Sequence, residues 1–193
     1  MPKPVFRLAE AEQVTWETSP RTLRLELHQW VRRGELVRLK RGVYCFPDRV
    51  RDQSEIARAL YEPAYISFES ALHYYGLIPD AVFALTLATP KATRTFTTSL
   101  GQFIYHRLKP DLFWGYDPDT LMAEREKALA DYLYLNSAFL VSERACWEGL
   151  RWHNLGEVDF KKLKDYGQKT GIKKMINLVA SLEEYGKNQE DRS

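Results

Sequence analysis

Sulfur is scarce in this chain and long apolar runs are missing. Among 193 residues there are only two cysteines, Cys45 and Cys146. Their separation excludes a disulfide framework and a zinc site built from CxxC pairs. No apolar stretch approaches the ~20 residues that a membrane-crossing helix needs. The opening MPKPVFRLAEAEQV lacks the charged start, apolar stretch and small-residue cleavage site of a signal peptide, so a cytoplasmic location is expected. Also missing are a G-x-x-x-x-G-K-[ST] phosphate loop, a G-x-G-x-x-G turn after a strand and a G-x-S-x-G nucleophile elbow. The histidines, His28, His73, His106 and His153, stand alone, none paired with another at the four-residue helical spacing. Neither a metal nor a cofactor is therefore expected.

What the chain does have is a lopsided distribution of charge. Its hydrophobic and charged fractions, 45% and 28%, are ordinary for a protein that buries a core. The formal net charge is only +2, yet residues 1–51 carry 11 Lys and Arg against 6 Asp and Glu. Residues 52–193 carry 17 against 20. A basic block at one end of a slightly acidic chain points to a polyanion-binding module joined to something else.

Within that block, SPRTLRLELHQWVRRG (19–34) reads as one capped helix. Ser19 suits the N-cap, Pro20 the first helical position and Gly34 the stop. At about 100° per residue, Leu23, Leu27, Trp30 and Val31 form an apolar stripe. Arg21, Arg24, His28 and Arg32 form a second, basic stripe, with Leu25 at its edge and Thr22 near its start. A merely solvated face would mix signs to form i,i+4 pairs, but no carboxylate lies on this stripe. After Gly34 the period changes to two, and ELVRLKRGVYCF predicts two short strands. Arg38, Lys40 and Arg41 fall at the strand end and turn. A basic-striped helix followed by a basic-tipped hairpin is what a winged helix-turn-helix requires, the helix in the major groove and the wing on phosphates. A short helix over 7–14 would brace it.

The run SPRTLRLELHQWVRRGELVRLKRGVYCFP, above all RRGELVR and RGVY, resembles the N-terminal winged helix of the AbiEi family, antitoxins and transcriptional repressors of type IV toxin–antitoxin systems. Further blocks resemble that family's C-terminal domain in the same order: YISFESALHYYGLIP, then TPKATRTF with LGQFIYHRL, then AEREKALADYLYL. The resemblance covers about 5–135. It implies an α+β chain, a winged helix over 1–48 followed by a mixed α/β antitoxin domain over 52–193. It also implies operator DNA bearing inverted repeats upstream of the chain's own operon, and a nucleotidyltransferase-like toxin as partner gene product. The role expected is that of a DNA-binding antitoxin and autorepressor, not an enzyme.

Beyond the wing, a helix is expected over 51–62, and within 64–80 a second one with Ser67 as its N-cap and Gly76 as its stop. Strands are expected over 81–89, 94–99, 101–108 and 111–116, and an amphipathic helix over 123–135. The tail reads as helices over 143–152 and 159–186, the second interrupted at Gly167 and Gly171, with a frayed end from Gly186. Glu124, Glu126, Lys127 and Asp131 raise the alternative of a metal-dependent nuclease. Their i,i+3 and i,i+4 spacing on a helix reads instead as surface ion pairing. Lys91 and Arg94, among the hydroxyls of TPKATRTFTTS, are a second candidate contact for nucleic acid or toxin. FWGY (113–116), Tyr132, Tyr134, Trp147 and Trp152 read mainly as core. A stand-alone winged-helix regulator without a toxin partner is the remaining alternative.

Overall fold

A computed structural model describes residues 3–79 and 83–190. The chain is mixed α/β, in keeping with the class read from the sequence. It begins with strand β1 (Val5–Arg7), which the sequence pattern does not announce, then helix α1 (Leu8–Val14). Helix α2 (Pro20–Arg33) follows, then strands β2 (Val37–Lys40) and β3 (Val43–Cys45) joined by a turn at Arg41-Gly42. These strands form an antiparallel sheet in the order β1-β3-β2. Successive side chains of a strand point to opposite faces, and both faces of this small sheet are used. Phe6 and Tyr44 are paired across β1 and β3 and pack with Leu23 and Leu27 of α2 and with Leu36. Val43 and Cys45 face the other way, against Ile56, Ala57 and Leu60 of helix α3 (Gln53–Leu60).

The next elements are β4 (Tyr65–Ile66), α4 (Phe68–Tyr74), β5 (Ala84–Thr89), β6 (Arg94–Thr98) and β7 (Gly101–Arg107). Residues 81 and 82, expected to open the β5 strand, lie outside the described residues. The second sheet runs β4-β5-β7-β6, with β5 and β7 parallel and the other pairs antiparallel. One face of this sheet, through Leu87, Phe103 and Tyr105, joins the cluster formed by α3 and the first sheet. That cluster runs across the position where the sequence suggests a boundary between 48 and 52. On the other side lies the main core, built from α4, α5 (Arg125–Leu135), α6 (Arg144–Gly149), α7 (Phe160–Lys169) and α8 (Lys173–Glu190).

Several expectations need correction. The aromatic run 111–116 is not a strand. Pro110–Leu112 is a 3-10 turn, and only Tyr116 makes an isolated bridge, to Ala123. Its rings serve packing instead: Tyr116 stacks on Tyr65 at 4.5 Å and Phe113 lies 5.0 Å from it. Gly167 does not interrupt α7, which runs through to Lys169; it is buried against Val179 of α8, where a Cβ would make ordinary contact at 3.4 Å. The break falls at 170–172, and helix then continues past Gly186 to Glu190.

The correction with most energetic content concerns Lys127 and Asp131. They pair at i,i+4 as the spacing predicts, but not at the surface: their side chains are 2% and 4% exposed. Asp131 accepts hydrogen bonds from the Tyr65 hydroxyl (2.8 Å) and Ser67 Oγ (2.9 Å). Ser67 therefore starts α4 without capping it through its side chain. The Lys127 ammonium lies 5.5 Å from the Tyr65 ring centroid and 4.9 Å from that of Trp114. Gly115 passes so close that a Cβ would come within 3.0 Å of Lys127 Cγ, and its φ of +76° suits glycine.

Candidate nucleic-acid interface

The local sequence sets α2 as expected. Ser19 Oγ accepts a hydrogen bond from the Thr22 backbone N–H at 3.1 Å, and Pro20 occupies the first turn. Gly34 closes the helix in the left-handed region, its N–H bonded to the Trp30 and Val31 carbonyls, a conformation that glycine adopts without steric cost. With Leu23 and Leu27 buried, the neighbouring face carries Arg21, Arg24, His28 and Arg32, all exposed. Among the described residues, Arg21, His28 and Arg32 make no ion pair or side-chain hydrogen bond, so their donors are open to a ligand. Arg24 is restrained: its Nη2 lies 3.2 Å from Glu12 Oε1 of α1. Thr22 is also engaged, its Oγ1 lying 2.7 Å from Ser19 Oγ.

The hairpin divides its cations. Arg38 and Arg41 are exposed, with no ion pair among the described residues. Lys40 turns inward, donates to the Leu60 carbonyl at the end of α3 and lies 5.6 Å from the Phe96 ring centroid. Burial pushes its pKa down, and the charges of Arg7, Arg94 and Lys91 push the same way. We expect Lys40→Met to cost about 1 kcal/mol of stability, the scale of one hydrogen bond exchanged with water. Urea unfolding monitored by tryptophan fluorescence would read it; no change would mean that the Leu60 contact contributes nothing.

Lys91 and Arg94 belong to the same neighbourhood. Lys91 donates to the Glu62 carbonyl and lies 5.4 Å from the Tyr61 ring centroid. Arg94 lies 5.5 Å from Tyr61 and 5.9 Å from Phe96. Arg7 pairs with Glu62 at 3.7 Å. Lys40, Lys91 and Arg94 thus meet around two half-buried aromatic rings, and Arg7 joins the group through Glu62. No sequence signal brings Arg7 or Lys40 to Lys91 and Arg94, because the link is made by the packing of the first sheet on the second.

Two carboxylates of the 124–131 segment meet on one ammonium, and the third lies apart. Lys162 pairs with Glu124 (2.9 Å) and with Glu126 (3.4 Å); Glu124 also accepts from the Tyr166 hydroxyl (2.9 Å) and Glu126 from the Asp159 backbone N–H (3.2 Å). Asp131 is sequestered with Lys127. Among the described residues no group of three His, Cys, Asp or Glu side chains is placed to hold a metal. Burial lowers the pKa of His106, which meets Phe68 edge-on at 5.1 Å. His73, near the end of α4, is exposed. Burial pushes the Cys45 thiol up to about 11, consistent with a packing residue. Among the described residues no helix is long and apolar enough to cross a membrane.

Residues 3–47 match a family model described as "Transcriptional regulator, AbiEi antitoxin". The matched segment spans β1 to β3 and includes all of α2 and the hairpin. Over residues 3–47 it bears out the resemblance to the AbiEi antitoxin regulators, and the blocks between 64 and 135 lie beyond the matched segment. Among curated proteins none matches the chain.

Proposed function

From a chain whose residues 3–47 match the AbiEi antitoxin regulators, we propose a DNA-binding autorepressor and antitoxin of a type IV toxin–antitoxin operon. In this reading residues 1–48 form a winged helix-turn-helix and residues 52–193 a mixed α/β antitoxin domain. The protein occupies operator DNA with inverted repeats upstream of its own operon, in the cytoplasm. Its counterpart is a nucleotidyltransferase-like toxin.

The observation that carries the reading is the outer face of α2. It offers the donors of Arg21, Arg24, His28 and Arg32 without an opposing carboxylate on the stripe itself, beside the face that buries Leu23 and Leu27. Arg21 and Arg24 lie towards the helix N-terminus, where recognition helices reach base edges, and Thr22 completes the capped first turn there. Arg38 and Arg41 supply phosphate contacts, which give affinity and register without sequence choice. Lys40 contributes through the placement of the hairpin and by its charge. Lys91 and Arg94, grouped with Arg7 and Lys40, form a second surface for nucleic acid or toxin.

The test is fluorescence anisotropy of the protein with labelled DNA from upstream of its own gene, against scrambled DNA, at two salt concentrations. Preference for its own DNA, with affinity falling as salt rises, supports the reading. Equal, weak binding to both duplexes counts against it. In the same assay Arg41→Ala is expected to weaken both duplexes alike and reduce the slope of log K against log salt by about one. A loss confined to the gene's own DNA would instead make Arg41 a base reader.

A further inference from the structure

Glu12 stands where a carboxylate is disfavoured twice. It lies in the last turn of α1, near the negative pole of the helix dipole, and that turn contains no basic residue. In the proposed function it also borders the face that meets DNA, where a carboxylate repels phosphates whatever the base sequence. Neither helix stability nor general DNA affinity accounts for it.

What Glu12 does is hold Arg24. Its Oε1 lies 3.2 Å from Arg24 Nη2, a contact between a carboxylate side chain 32% exposed and an arginine side chain 62% exposed. Of the four basic-stripe residues on α2, Arg24 is the one with such a partner among the described residues. The contact takes up part of one terminal nitrogen and leaves the other N–H donors, Nη1 included, for a ligand. An arginine held this way has less rotamer freedom to lose when it docks.

We infer that Glu12 is a positioning residue that sets sequence discrimination through Arg24. The inference rests on the reading of α2 as the helix that meets DNA. The carboxylate aims the guanidinium towards a base edge. It also penalises complexes in which Arg24 would have to swing away to a phosphate, because leaving Glu12 is then offset only by a single, sequence-blind contact. Specificity thus comes from an element that lowers binding to the wrong DNA as well as from one that favours the right DNA.

The experiment measures binding of the full chain and its Glu12→Gln, Glu12→Asp, Arg24→Ala and doubly substituted Glu12→Gln/Arg24→Ala variants. The two duplexes are labelled DNA from upstream of the gene and scrambled DNA. Glu12→Gln is expected to tighten binding to scrambled DNA without a matching gain on the gene's own DNA. The ratio of the two affinities should then fall on the order of fivefold, within the range for coupled neighbours. Glu12→Asp should restore much of that ratio, and Glu12→Gln should no longer change it once Arg24 is alanine. A Glu12→Gln variant that shifts both affinities equally overturns the inference, as does an unchanged effect in the Arg24→Ala background. A wild-type protein with no preference between the duplexes overturns the DNA-reading function itself, so the two failures are told apart.

Discussion

Asp131→Ala is expected to destabilise the fold by about 3–5 kcal/mol, the range for removing one partner of a buried ion pair. The cause is what remains behind. Lys127, its side chain 2% exposed, would keep an ammonium facing the Tyr65 and Trp114 rings with no carboxylate beside it. The Tyr65 and Ser67 hydroxyls would lose their common acceptor in the same step. Burial already pushes the Lys127 pKa down and the Asp131 pKa up, and their mutual attraction opposes both shifts. Burial also holds the Tyr65 hydroxyl far above its ordinary pKa, so it stays a donor.

Urea unfolding measures the loss, and a second variant separates charge from packing. The double substitution Lys127→Met with Asp131→Asn removes both charges, keeps similar volume and leaves an amide oxygen for one hydroxyl. It should cost less than Asp131→Ala alone, because an uncompensated buried charge is worse than none. If the double variant loses as much as Asp131→Ala, the network acts through shape and hydrogen bonding, and the ion pair is incidental.

The same residues mark where the sequence stops being informative. Ser19-Pro20 and Gly34 bound α2 through interactions within a few residues, so the helix, its apolar stripe and its basic stripe can be read directly. Lys127 and Asp131 show the opposite case. An i,i+4 pair has the same spacing on a wet surface as in a core, and what buries this one comes from β4 and from the turn at Trp114-Gly115. Lys40 and Arg41 are neighbours in sequence with the same charge, yet one is drawn to the Leu60 carbonyl and the other stays exposed. That difference follows from α3 packing on the face of the first sheet that carries Val43 and Cys45, a contact between segments on either side of the suggested boundary. The aromatic run at 111–116 has the composition of a strand, but Phe113 and Tyr116 are spent on Tyr65. Strand β1 is too short to show a period of its own and becomes a strand by pairing with β3.

Arg24→Ala is expected to have the largest effect on recognition, about 1–3 kcal/mol at the gene's own upstream DNA if the guanidinium makes a bidentate contact to a guanine edge. That corresponds to roughly five- to 150-fold in affinity. On scrambled DNA the loss should be no more than that of a single phosphate contact, since one positive charge is removed in either case. The argument for Arg24 over its neighbours is one of restraint. Arg21 and Arg32 extend freely into solvent, whereas Arg24 is tied to Glu12 at 3.2 Å and docks with less of its freedom still to lose. Arg41→Ala serves as the control, because a hairpin cation that contacts phosphate should lose affinity equally on both duplexes. Equal losses for Arg24→Ala on the two duplexes would reduce α2 to a generic polyanion surface. A loss confined to the gene's own DNA would make the first half of that helix the part of the protein that reads sequence.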